Sequence, residues 1–138
     1  MTRAVALHHV SLPVRDLDAS RRFYTDVLGL PEIDRPPFDF PGAWFGVGDS
    51  HVHLIGEPKD PTFREGKKLD PGDMHFAIRV ESFREMVAFL ESKGFRTDVD
   101  RSEQNAMIVD PHATAGFPQI YIFDPDRFVV EINADVLE

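Results

Sequence analysis

The chain has 138 residues, which suits one ordinary globular domain and is too short for two large independent ones. Hydrophobic residues make up 42% and charged residues 28%, a balance that excludes wholesale disorder. A formal net charge of −9 and a pI near 5.0 disfavour a role resting on attraction to nucleic-acid phosphates, and the absence of cysteine removes disulfides, thiolate metal sites and a thiol nucleophile.

Any metal must therefore be held by nitrogen and oxygen. The longest apolar runs, such as Ile120 to Phe123, fall far short of a membrane span, and residues 1–15 lack the charged-then-apolar layout of a signal peptide. A cytoplasmic protein with no membrane partner is the expectation.

The segment Leu7 to Val14 alternates with period two, placing Val10, Leu12 and Val14 on one face and His9, Ser11 and Pro13 on the other. That predicts a strand with one face on a core. Asp16 is placed to cap a helix whose inward positions are Leu17, Tyr24, Val27 and Leu28, with Gly29 at its left-handed end. A second strand is expected around Pro31 to Asp34, followed by the loop Arg35-Pro36-Pro37-Phe38-Asp39-Phe40-Pro41-Gly42. Strands at Ala43 to Val47 and His51 to Ile55, joined by Gly48-Asp49-Ser50, complete a first module over residues 5–55.

Residues 56–73 are polar and rich in Pro and Gly, and are expected as a linker. A second module is expected over 74–134. It opens on Met74 to Val80, where Phe76, Ile78 and Val80 oppose His75, Ala77 and Arg79. Ser82 and Glu85 form a capping box for a helix with inward Phe83, Met86, Val87 and Leu90, closed by Gly94. Strands are expected at Phe95 to Val99, Ala106 to Val109, Gln119 to Phe123 and Phe128 to Asn133, the last two joined by Asp124-Pro125-Asp126-Arg127.

His75 follows His9 by 66 positions, and the same offset relates Val14 to Val80, Leu17 to Phe83 and Phe23 to Phe89. An internal duplication explains it. The fold class expected is α+β: two tandem βαβββ modules forming a curved mixed sheet around a metal-binding cavity, within one domain spanning 1–138.

Four residues of ligand type occupy equivalent strands: His9 and His75 on the first strand of each module, His53 and Glu131 on the last. Val52 and Leu54 flank His53 as Val130 and Ile132 flank Glu131, so all four face away from the apolar side. Imidazole and carboxylate suit Zn²⁺, Ni²⁺, Co²⁺, Fe²⁺ or Mn²⁺, and four protein ligands on a six-coordinate ion leave two positions for water or substrate. Alternation places His8 on the opposite face from His9 and excludes it. His51 shares the face of His53 but is expected as an exposed hairpin-end group, and His112 as a solvated loop residue. The aromatic loop Arg35 to Trp44 suits either a grip on an apolar substrate or cover for a core edge or dimer contact, and Arg79 either a substrate carboxylate or an internal acidic partner.

The stretch His9-Val10-Ser11-Leu12-Pro13-Val14-Arg15-Asp16-Leu17 with Phe23-Tyr24 and Val27-Leu28-Gly29-Leu30 resembles the opening signature of the vicinal-oxygen-chelate superfamily, the glyoxalase/bleomycin-resistance/dioxygenase group. Val52-His53-Leu54, Met74-His75-Phe76-Ala77, Asp124-Pro125-Asp126 and Val130-Glu131-Ile132 extend the resemblance over nearly the whole chain. It implies His9, His53, His75 and Glu131 as ligands of a divalent metal, Glu131 as the catalytic base, and a homodimer. It also implies a lyase or isomerase of glyoxalase type acting on a small substrate whose adjacent oxygens chelate the metal. Two alternatives stand beside it: an Fe²⁺ dioxygenase using His9, His75 and Glu131, and a metal-free drug-binding protein of bleomycin-resistance type. The sequence departs from the family in two places. His53 stands where lactoylglutathione lyases carry glutamate, and Arg127 occupies the glycine place of the Asp-Pro-Asp-Gly turn.

Overall fold

The computed structural model describes residues 1–138, which divide into two compact units, 1–62 and 63–138. Each contains one four-stranded mixed sheet, so the α+β fold of two tandem modules expected from sequence is present, with its mixed sheet divided into one per module.

In the first unit, β1 (His9–Val14) begins two residues later than the alternation suggests, at the first residue that finds a partner on the neighbouring strand. Asp16 caps α1 (Leu17–Arg22), its Oδ1 accepting from the Ala19 amide at 3.1 Å. The helix then widens into a π turn over Phe23–Val27, closed by the Leu28 amide on the Phe23 carbonyl at 3.2 Å. That extra residue per turn lets Phe23 and Tyr24 both enter the core, where a regular 3.6-residue period buries them less evenly. Gly29 ends the segment with φ +68°. β2 (Glu32–Ile33), β3 (Gly42–Val47) and β4 (Ser50–Gly56) follow, and the sheet order is β1-β4-β3-β2, with β1 parallel to β4 and the rest antiparallel. The core face carries Leu12, Val14, Ala43, Phe45, Val52 and Leu54 under α1 and the π turn, with Tyr24 and Phe45 rings 5.9 Å apart.

The second unit repeats the plan: β5 (His75–Arg79), α2 (Phe83–Ser92), β6 (Met107–Asp110), β7 (Gln119–Phe123) and β8 (Val129–Asn133), in the order β5-β8-β7-β6. Ser82 caps α2 through the Glu85 amide at 3.3 Å, and Phe83 and Leu90 are its buried positions. The strand expected at Phe95 to Val99 does not form; only Arg96 makes an isolated bridge, to Ala106. The side chains there satisfy local groups instead, Arg96 pairing with Asp98 and Asp100 Oδ1 accepting from the Ser102 amide, which turns the chain before a ladder can propagate.

Strands β7 and β8 are buried on both faces. Ile120, Ile122, Val130 and Ile132 fill one side, and Leu69, Ala106, Tyr121, Phe123 and Val129 cluster on the other. Leu69 belongs to the polar stretch after the first module. That stretch is tied down by its own contacts: the Leu69 amide bonds the Arg101 carbonyl at 2.8 Å, and Arg64 pairs with Asp73. Polar composition hid one apolar residue whose burial covers the sheet face beside Glu131.

The turn after β7 is organised by Asp124, whose Oδ1 accepts from the amides of Asp126 and Phe128, both at 2.9 Å. Arg127 adopts φ +66°, the left-handed conformation a glycine would take freely. Its side chain compensates: Nη1 donates to the carbonyls of Ser102 (2.7 Å) and Lys67 (3.1 Å), and the guanidinium lies over the Phe123 ring. Arg127→Ala keeps the backbone strain and loses these contacts, whereas Arg127→Gly loses the contacts and relieves the strain. The alanine variant should therefore unfold about 1 kcal/mol more readily than the glycine variant in urea titrations.

Candidate functional site

The two sheets place their ligand-type residues by the same register. In the first, His9 pairs with His51 and Ser11 with His53; in the second, His75 pairs with Val129 and Ala77 with Glu131. The candidate on the central strand thus stands diagonally from the histidine on its parallel neighbour in both units. In each the diagonal closes: the His9 and His53 rings stack at 4.0 Å, and His75 Nε2 lies 3.1 Å from Glu131 Oε1. The antiparallel neighbours are equivalent too, Trp44 opposite His53 and Tyr121 opposite Glu131.

In the second unit Glu131 is buried, with 5% of its surface exposed. Tyr121 donates its hydroxyl to Oε1 at 3.2 Å, and Asn133 donates its amide to Oε2 at 2.7 Å. Arg79 Nε in turn donates to Asn133 Oδ1 at 2.9 Å, fixing which way the amide is turned. Burial, then the charge of Glu131 and the hydrogen bond to it, and last Asp110, push the Tyr121 phenol up to about 12. It keeps its proton and serves Glu131 as a donor. His75 Nδ1 lies 2.7 Å from the Asp73 carbonyl, an acceptor only, so that nitrogen carries hydrogen and a neutral ring turns the Nε2 lone pair toward the carboxylate. Two acceptors 3.1 Å apart require a cation between them, a proton or a metal.

In the first unit His53 is likewise 5% exposed, its ring flat against Trp44 on one side (3.9 Å, 4°) and near-parallel to His9 on the other. Its Nε2 meets His51 Nδ1 at 3.2 Å. Burial first, then the charges of His9, His51, His8 and Arg35, push its pKa down to about 4, so it is neutral at neutral pH.

Two histidines set aside from sequence belong to this cluster. His8 precedes the first paired residue of β1, so strand alternation does not govern it; its Nδ1 lies 2.8 Å from His9 Nδ1, and its ring packs edge-on 5.0 Å from His51. His51 is part-buried between Trp44 and His53. His112 is exposed, as expected of a loop residue. Trp44 and Tyr121 were legible through hairpin register: once Gly48-Asp49 is a two-residue turn, Val47 faces Ser50 and Trp44 must face His53.

The donor set suits a divalent ion of intermediate softness. It offers imidazole and carboxylate, one imidazole held neutral by burial, and a second oriented by a backbone carbonyl on its other nitrogen. Neither unit by itself gathers three ligand-type side chains around one point.

Between pH 6.5 and about 4 the unfolded chain holds a proton at His53 that the folded chain does not. Stability from this group is therefore complete above pH 6.5 and is lost as pH falls toward 4. In chelator-treated protein, His53→Asn should flatten the rise of stability with pH across that window, measured by denaturant midpoints at several pH values.

The glyoxalase family model, described as the Glyoxalase/Bleomycin resistance protein/Dioxygenase superfamily, matches residues 6–132. The chain is 34% identical over 135 residues to "Glyoxylase I 4" of Arabidopsis thaliana, covering 96% of this chain and 72% of that protein. It is 26% identical to a lactoylglutathione lyase of Schizosaccharomyces pombe over 91% of its own length and 46% of the lyase, so it spans about half of that relative. Among solved structures, a glyoxalase/dioxygenase from Nostoc punctiforme superposes with a TM-score of 0.68 at 26% identity over 98% of both chains. The family model over residues 6–132 and the 34% identity to a relative across most of both chains make this chain a member of the Glyoxalase/Bleomycin resistance protein/Dioxygenase superfamily.

Proposed function

We propose that the chain is a metal-dependent lyase or isomerase of glyoxalase type, with His9, His53, His75 and Glu131 as ligands of Zn²⁺, Ni²⁺, Co²⁺, Fe²⁺ or Mn²⁺. The observation that carries this is the contact between His75 Nε2 and Glu131 Oε1, two ligand-type groups that need a cation between them, with the carboxylate buried and the imidazole open to an incoming ion. A divalent ion at these ligands would polarise the adjacent oxygens of a small substrate as a Lewis acid.

The remaining work falls to the chain's own groups. Glu131 is the base, taking a proton from the carbon beside a substrate carbonyl and returning it to the neighbouring carbon. Tyr121 and Asn133 hold its two oxygens from opposite ends, so the carboxylate is oriented before substrate arrives. The cover of Leu69, Phe123 and Val129 over the same sheet face keeps water from competing for those oxygens. The resemblance of part of the lactoylglutathione lyase to this chain supports hemithioacetals of α-ketoaldehydes as the first substrates to assay.

A second reading is favoured by the contact of His53 Nε2 with His51. If that nitrogen stays engaged, His9, His75 and Glu131 remain as a two-histidine, one-carboxylate set suited to Fe²⁺ and an oxygen-dependent reaction on a catechol-like substrate.

A metal present at about a hundred times its dissociation constant should raise the stability of chelator-treated protein by about 2.7 kcal/mol. His75→Ala and Glu131→Gln should each lose most of that gain, measured by thermal melts with added Ni²⁺, Zn²⁺, Mn²⁺ or Fe²⁺. Glu131→Gln should also slow hemithioacetal turnover by about 10² to 10⁴. Full metal stabilisation in both variants overturns the ligand assignment, and activity on catechol with Fe²⁺ and oxygen alone selects the second reading.

A further inference from the structure

The face of β3 that carries Trp44 also carries Gly42 and Gly46. A Cβ at position 42 would lie 2.5 Å from the Leu54 carbonyl and 2.9 Å from both Nε and Nη2 of Arg35, so the glycine leaves the guanidinium close against the β3 backbone. Arg35 enters from the proline-rich loop and is clamped there. Its Cζ lies 4.8 Å from the centre of the Phe38 ring and 4.9 Å from that of Phe40, and the two rings stack 5.1 Å apart. Its only hydrogen bond runs from Nη2 to the Phe40 carbonyl at 2.8 Å, and Nε is buried without a partner.

This cation has no counter-ion in a chain with 24 acidic side chains. The contrast with other arginines is direct: Arg64, Arg79 and Arg96 each pair with an aspartate. A partly desolvated guanidinium held by ring faces is unfavourable unless something offsets the lost hydration. Nη1 remains free to donate, and a planar carboxylate is the anion whose geometry fits that fork. The aromatic surface continues from Phe38 to Trp44 (6.2 Å between centres) and from Trp44 to His53, stacked at 3.9 Å.

We propose that Arg35 anchors the carboxylate of the substrate, and that the substrate class is organic acids whose apolar body lies along Phe38, Phe40 and Trp44. Placing the acid's reactive end beside His53 rests on the metal-site reading given above; the anion site itself does not. Arg35 is then a specificity-determining residue, and an acid is preferred over its uncharged amide.

The chain has one tryptophan, so fluorescence reports on Trp44 alone. Chelator-treated, full-length protein is titrated with 3-phenylpropionate and with 3-phenylpropionamide, and metal uptake is measured in a parallel aliquot. The acid should give a saturable change in Trp44 emission and the amide one at least about tenfold weaker. Arg35→Gln should weaken acid binding by about tenfold or more, Arg35→Lys less, and the exposed-charge control Arg96→Gln not at all. Equal binding of acid and amide by the unsubstituted chain overturns the proposal without recourse to any variant. So does unchanged acid binding in a folded Arg35→Gln protein. Acid binding that depends on Arg35 in protein that takes up no metal leaves this inference standing and removes the metal reading; metal uptake without acid preference does the reverse.

Discussion

A carboxylate taken out of water must be met by donors or by a cation, and the second unit is arranged around meeting that demand at Glu131. Its position on the central strand of a sheet covered on both faces removes solvent. Tyr121 and Asn133 supply donors from the neighbouring strand and from two residues further along its own. Arg79 restrains Asn133, and the Asp73 carbonyl restrains His75. The seemingly slack stretch before β5 is recruited to the same end, since Leu69 closes the sheet face and the Asp73 carbonyl aims the imidazole.

The first unit solves the matching problem with different chemistry. Where the second sheet has a carboxylate with a phenol beside it, the first has an imidazole with an indole beside it. Hydrogen bonds give way to stacking, because a neutral imidazole flat between Trp44 and His9 needs no donor on its faces. Burial and the surrounding positive groups keep His53 neutral, the form able to donate a lone pair to a metal. Replacing the glutamate usual in lactoylglutathione lyases with His53 thus removes one buried charge and adds a crowded histidine cluster in its place. This leaves Glu131 as the one carboxylate among the four proposed ligands, and so as the proposed base.

Arg35 illustrates how a local gap and a distant loop combine. Gly42 is explained neither by a turn nor by a positive φ; what requires it first is the Leu54 carbonyl, 2.5 Å from where a Cβ would stand, and the Arg35 guanidinium occupies the rest of that space. Proline at positions 36 and 37 stiffens the approach, and two phenylalanines hold the planar group by its faces. Cation and aromatic surface come together on the face that also bears Trp44 and His53.

The sequence by itself determined the elements and their faces. Period-two alternation around His9, His53 and His75, the caps at Asp16 and Ser82, and the 66-residue repeat are local patterns, and local patterns follow from backbone geometry alone. Alternation also turned Glu131 to the face opposite Val130 and Ile132, although β8 is buried on both sides. What tertiary structure decided is which side chains became neighbours. His8 joined the cluster because it lies before the strand's first pairing, Tyr121 reached Glu131 because the hairpin register put them opposite, and Leu69 became core because a polar segment folded back over the sheet. The strand expected at Phe95 to Val99 failed because Asp98 and Asp100 gave local groups a nearer partner than a ladder could. Such contacts depend on distances across the chain, and a linear pattern carries no measure of those.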